Sequence, residues 1–90
     1  MFKKDLSLDE IKFGEIWFSE ENKEFFPMHG EELTFVDVTG QKYTARVHPV
    51  KNYIEGVWHM HKNNEALEGT AITIRVIDDR YNLYRIYYSY

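Results

Sequence analysis

The chain has 90 residues, 43% of them hydrophobic and 17% aromatic, with 11 basic and 15 acidic side chains and no cysteine. That length holds one domain around one core, and the apolar content separates it from a disordered polyelectrolyte. The missing cysteine excludes a disulfide framework, a thiolate zinc site and a cysteine nucleophile, while the net charge of −4 argues against a generic polyanion binder.

The opening Met1-Phe2-Lys3-Lys4-Asp5-Leu6 lacks the apolar stretch of a signal peptide, and no run is long enough to span a bilayer. No membrane association is expected, and the location expected is cytoplasmic. Ser7-Leu8-Asp9-Glu10 has the spacing of a capping box and predicts a helical turn ending near Ile11. Gly14 breaks it. Glu15 to Phe18 then reads as a strand, and Ser19 as the cap of a helix that Pro27 terminates after Phe26. Met28 to Glu31 is a loop.

From Glu32 the pattern turns to β. Glu32 to Val38, the turn pair Thr39-Gly40, and Gln41 to Val47 form a predicted hairpin. Alternation on its second strand assigns Tyr43, Ala45 and Val47 to the core and Lys42, Thr44, Arg46 and His48 to a basic stripe. Pro49 ends that strand, and Val50 to Gly56 reads as a loop carrying Lys51, Asn52 and Tyr53. His59 to Leu67 fits either a strand end or a short helix, with Gly69 as its stop. Ala71 to Ile77, a turn at Asp78-Asp79-Arg80, and Tyr81 to Tyr90 complete the β pattern. At least five short antiparallel strands with two short helices suggest a closed or nearly closed barrel, since an open sheet would expose apolar edges. The predicted core is Leu33, Phe35, Val36, Tyr43, Ala45, Val47, Trp58, Leu67, Ile72, Ile74, Val76, Leu83 and Ile86, with Trp58 as its central aromatic. The tyrosines of the last segment are assigned mostly to packing rather than to ring stacking on sugars or bases.

Charge is unevenly spread. Residues 1–37 carry four lysines against ten acids, whereas residues 38–90 carry seven basic and five acidic side chains. Lys42, Arg46, Lys51 and Lys62 face Glu55 alone between Gly40 and Lys62, and three histidines join them. An anion, if one binds, binds there.

Catalytic signatures are missing. Ser7, Ser19 and Ser89 sit in capping or strand contexts, none in a nucleophile elbow, and no phosphate loop occurs. Glu10-Ile11-Lys12 has the form of the end of a magnesium nuclease signature, but Asp5 is too near to supply the second acid from another strand, and the cap explains Glu10 better. His59 and His61 would share one face of a strand as a metal pair, with His29 or His48 to complete it; the preferred reading is exposed histidines beside a basic loop. Neither cofactor nor metal is expected, and the chain reads as a non-enzyme.

Taken in order, the motifs resemble the plant B-three DNA-binding domain. Phe2 to Ile11 is similar to the family's opening F-x-K-x-L-[ST]-x-[SD]-[DE]-[VI], Phe25-Phe26-Pro27 to its aromatic-Phe-Pro, and Leu33 to Tyr43 to its L-x-[FV]-x-D-x-x-G-x-x-[WY] hairpin. Gly56-Val57-Trp58 with Asn64, Leu67 and Gly69 is similar to G-W…N-x-L-x-x-G-D, although Val57 interrupts Gly-Trp, His61 stands for Phe and Thr70 for Asp. This divergence favours the related recognition domains of bacterial restriction endonucleases. The resemblance implies a mainly β fold, an open seven-stranded pseudobarrel with two short helices, which grips double-stranded DNA in the major groove with two loop arms. The N-arm falls on Lys12-Phe13-Gly14-Glu15 and the C-arm on His48 to Tyr53. In these roles Asn52 would pair with adenine, Lys51 would reach guanine or phosphate, and Lys42, Arg46 and Lys62 would hold the backbone. Glu15 would either accept from cytosine or mark an arm that does not touch DNA, and Phe13 and Tyr53 would either contact a thymine methyl or a modified cytosine or anchor their own loops. The partners implied are DNA and a nuclease domain or subunit. The alternative is a protein-interaction module of a bacterial complex, to which the acidic first third is suited.

Overall fold

The computed structural model describes residues 1–90 and takes the chain through seven strands and two short α-helices. In order these are β1 (Phe2–Asp5), α1 (Leu8–Phe13), β2 (Glu15–Trp17), β3 (Glu32–Val36), β4 (Lys42–Val47), β5 (Tyr53–Glu55), α2 (Trp58–Asn63), β6 (Ala71–Asp78) and β7 (Leu83–Ser89). Two 3-10 segments, Glu20–Phe25 and Asp79–Tyr81, lie before β3 and β7. All strands join one sheet in the order β1-β6-β7-β3-β4-β5-β2, antiparallel except for the parallel pair of β3 and β7. The expected mainly β, seven-stranded pseudobarrel is thus the observed architecture. Counting strands from local pattern alone fell short because β1 and β5 are only four and three residues long.

The helices follow local chemistry. Ser7 Oγ accepts from the Glu10 amide at 3.2 Å and Glu10 Oε1 accepts from the Ser7 amide at 2.8 Å, so the capping box forms, although α1 runs to Phe13 instead of stopping at Ile11. Gly14 ends it with φ +67, and a Cβ there would lie 2.5 Å from the Trp58 backbone nitrogen. Glycine adopts that left-handed conformation at no steric cost, and only glycine permits that approach of α1 to α2. The segment after Ser19 is 3-10 rather than α-helical, and the Ser19 side chain accepts from the Asn22 side chain instead of capping the backbone. Pro27 disfavours helical backbone at Phe26, which is extended, so the segment stops after Phe25 in the tighter winding common in short connectors. His59 to Leu67 resolves as helix followed by turn: Val57, Met60 and His61, at helical spacing, are buried, while His59 is exposed.

Inside the curled sheet lie Ile16, Phe35, Val47, Ile54, Met60, Ile74 and Ile86, all fully buried. Of the expected core, Leu33, Phe35, Val36, Tyr43, Ala45, Val47, Ile72, Ile74 and Ile86 are buried and Leu83 is half-buried. Trp58, Leu67 and Val76 are not: they are 43%, 70% and 44% exposed. Trp58 is the first residue of α2 and borders a surface groove, Leu67 lies in the following loop, and Val76 sits beside the bulge where β6 leaves register with β7. The central aromatic is Phe35. Among the final tyrosines Tyr84 belongs to the core and Tyr88 is half-buried, but Tyr81, Tyr87 and Tyr90 are exposed.

Candidate nucleic-acid interface

Both arms border one outer face, built by β4, β5 and β2. Strand register lines up Glu32, Arg46, Glu55 and Glu15 as a row across β3, β4, β5 and β2, because directly paired residues point the same way. Two residues along β2, Trp17 pairs with Tyr53, and their rings stack at 4.4 Å between centroids; His48 stacks on the other side of Tyr53 at 4.6 Å. The face therefore carries an ionic row and, beside it, an aromatic rack. Glu15 joins the two through its Oε1, which accepts from the Trp17 indole at 2.9 Å.

The C-arm leaves this face at His48. His48 Nδ1 accepts from the amides of Val50 at 3.1 Å and Lys51 at 3.0 Å, so one side chain folds the turn. Lys51 is exposed at its tip. Asn52 is committed internally: its Nδ2 donates to Glu20 Oε2 at 2.7 Å and its Oδ1 lies 2.9 Å from His29 Nε2. The N-arm is the last turn of α1 and its exit, where Phe13 is 64% exposed with the Lys12 ammonium 5.8 Å from its ring centre. Phe13, Glu15, Thr44, Arg46 and Glu55 border one shallow depression.

Not every expected contact residue joins this face. Lys42 is at the hairpin end of β4, four residues from Arg46 or about 13 Å along a strand. Lys62 belongs to α2 with its ammonium 4.9 Å from the Trp58 ring centre, over a separate apolar groove with Ile11 and Leu67. Arg46 is paired: its Nε and Nη2 both donate to Glu55 Oε2, the former at 2.8 Å. Sequence reading overlooked Trp17, Glu32 and Glu55. The alternation of Glu15 and Trp17 was the available signal for the first, while the acids needed the strand register.

From inside, buried polar groups brace the face. Glu10, nearly fully buried, accepts through Oε2 from Lys4 Nζ at 2.6 Å and from the Trp17 amide at 2.7 Å, and Lys4 also donates to the Trp17 carbonyl at 2.9 Å. Burial pushes the Glu10 pKa up, but Lys4 and the two amides outweigh it and the net shift is downward. Glu10 is therefore a structural acid. His61 is also buried, contrary to the expectation of an exposed side chain; its Nε2 donates to the Glu15 carbonyl at 3.0 Å, so Nδ1, 2.7 Å from the Tyr88 hydroxyl, is the acceptor. In a helix His59 and His61 do not share a face, which removes the strand-based metal pair. Asp37 accepts from Thr39, Gln41, Tyr43 and Asn64 and ties the hairpin turn to the end of α2.

No family model and no curated protein matches the chain significantly. Solved structures do. The chain superposes on the protein of an Arabidopsis FUS3-DNA complex with a TM-score of 0.78 at 18% identity, covering 99% of this chain and 95% of that one. It also superposes on the N-terminal domain of LlaJI.R1 from Helicobacter pylori with a TM-score of 0.74 at 10% identity, covering 98% of this chain and 79% of that one. At these identities the likeness is one of fold, and the fold is the B-three-type pseudobarrel that the motif order resembles.

Proposed function

We propose that the chain is a non-catalytic module that reads the sequence of double-stranded DNA through the major groove, with Lys12 and Phe13 on one arm and His48, Lys51 and Tyr53 on the other. The observation that carries this reading is the exposed face bordered by both arms, on a fold shared with a protein solved in complex with DNA. Three strands at about 4.8 Å spacing make a face roughly 10 Å across, comparable to a major groove about 12 Å wide. Free lysines at Lys12 and Lys51 suit phosphates beside that groove, and the aromatic rack presents ring edges to base methyl groups. The likeness to LlaJI.R1 supports the restriction branch, in which this module would serve a nuclease domain or subunit inside the cell.

Selection from a pool of randomised duplexes, run with and without cytosine methylation, tests the proposal. A defined motif is expected, bound with a modest salt slope of about −2 to −4, since few lysines are free to neutralise phosphates. No enrichment, together with no duplex binding at low salt, would overturn it.

A further inference from the structure

We infer that Arg46, held by Glu55, reads the guanine of a G·C base pair and is not a phosphate anchor. The inference rests on the DNA-reading function proposed above and names one of its specificity-determining contacts. Arginine carries five N–H donors in a fixed plane. In Arg46 the edge formed by Nε and Nη2 is spent on Glu55 Oε2, which fixes the plane of the guanidinium across the β4–β5 pair. The other edge, Nη1 with the second N–H of Nη2, donates to nothing in the protein, and Arg46 is half-exposed. Two parallel donors on a fixed plane match the O6 and N7 acceptors that guanine shows in the major groove.

The surroundings decide between base and backbone. Glu32, Glu55 and Glu15 lie in the same row as Arg46, so three carboxylates flank one guanidinium. A phosphate approaching Arg46 meets net negative charge and is repelled. A base edge is neutral and is not. Moreover, Glu55 uses only Oε2 and Glu15 only Oε1 in side-chain hydrogen bonds, leaving an acceptor oxygen on each. Cytosine offers its N4 amino group as a donor in the major groove beside guanine O6, which is the partner such an oxygen takes. Donor and acceptor side by side thus complement a G·C pair, and their position between Phe13 and the C-arm is where base edges would pass.

The test uses the 90-residue chain, the duplex it selects from a random pool, and Arg46→Lys. Lysine keeps the charge and would serve a phosphate, but it cannot make the planar bidentate contact. The expected result is that Arg46→Lys loses preference at one guanine by roughly 5- to 150-fold, while the salt slope stays unchanged. Replacing that guanine by 7-deazaguanine, which lacks N7, should weaken the wild-type chain and have little further effect on Arg46→Lys. Glu55→Gln should relax the same position. Unchanged preference in Arg46→Lys, or equal weakening of all duplexes, overturns the inference while leaving DNA reading intact. Should the wild-type chain select no duplex, both readings fall together. A wild-type chain insensitive to 7-deazaguanine at every selected guanine overturns the inference even if a variant is poorly folded.

Discussion

Asn52 illustrates how a residue type suited to one task can be taken by another. Its amide has the donor and acceptor that adenine requires, and the resemblance, by placing it in the C-arm, implied that role. In the structure its donor is on Glu20 and its acceptor beside His29, so the side chain fastens the C-arm to the 3-10 segment before β3. Asn52→Ala is accordingly expected to weaken binding to all duplexes alike by loosening the arm, with base preference retained. Relaxation at a single adenine in a randomised-duplex selection would return Asn52 to the reading role. Trp58 is the complementary case: size marked it as core, yet 43% of it is exposed, whereas Phe35 is completely covered. Phe35→Ala should cost about 3–5 kcal/mol in chemical unfolding and Trp58→Ala clearly less.

At the scale of elements, the sheet is open between its edge strands β1 and β2, and no backbone ladder joins them. Lys4 and Glu10 bridge the gap instead, Lys4 from β1 and Glu10 from α1, both bonded to the main chain of Trp17 on β2. Glu10→Ala would strand the Lys4 ammonium and the Trp17 amide, so a loss of about 3 kcal/mol or more is expected from urea unfolding. Destabilisation well below 1 kcal/mol would mean that the seam is held by apolar contacts alone. This bridge also marks the limit of what local pattern reveals. The capping box, the β3–β4 hairpin and the alternation of β4 were legible because each is set by neighbours within a few residues. β5, three residues beside a proline-led loop, shows no period of its own and exists because β4 and β2 pair with it. The same applies to the site: Arg46 and the C-arm basic residues could be found in the sequence, but the opposing row of Glu15, Glu32 and Glu55 comes from strand register across chain separations that no local pattern encodes.

For the molecule as a whole, three buried titratable groups set a common response to acid. Burial holds the His61 pKa below its ordinary 6.5 despite the Glu15 carbonyl and the Glu10 charge, so the folded ring is neutral where an unfolded chain would already take up a proton. Stability from this source is complete above about pH 6.5 and declines as the pH falls through that value. Glu10 and Asp37 are also lowered: burial opposes ionisation in each, but Lys4 and two amides overcome it at Glu10, and Thr39, Asn64, Tyr43 and Gln41 overcome it at Asp37. Their contribution is present above the ordinary values of 4.5 and 3.8 and is lost as the pH falls through their lower folded values. All three act in the same direction, so melting temperature should be level near pH 8, decline gently below about pH 6.5 and fall steeply below about pH 4.5. His61→Gln separates the first decline from the second, since glutamine has an N–H for the Glu15 carbonyl and an oxygen for the Tyr88 hydroxyl but does not titrate. Circular-dichroism melts of that variant should lose the decline between about pH 7 and pH 5 and keep the steep fall below it. A variant that follows the parent chain throughout would mean that His61 takes up its proton in the folded protein as readily as in the unfolded one, and that the donor from Tyr88 to Nδ1 is not required.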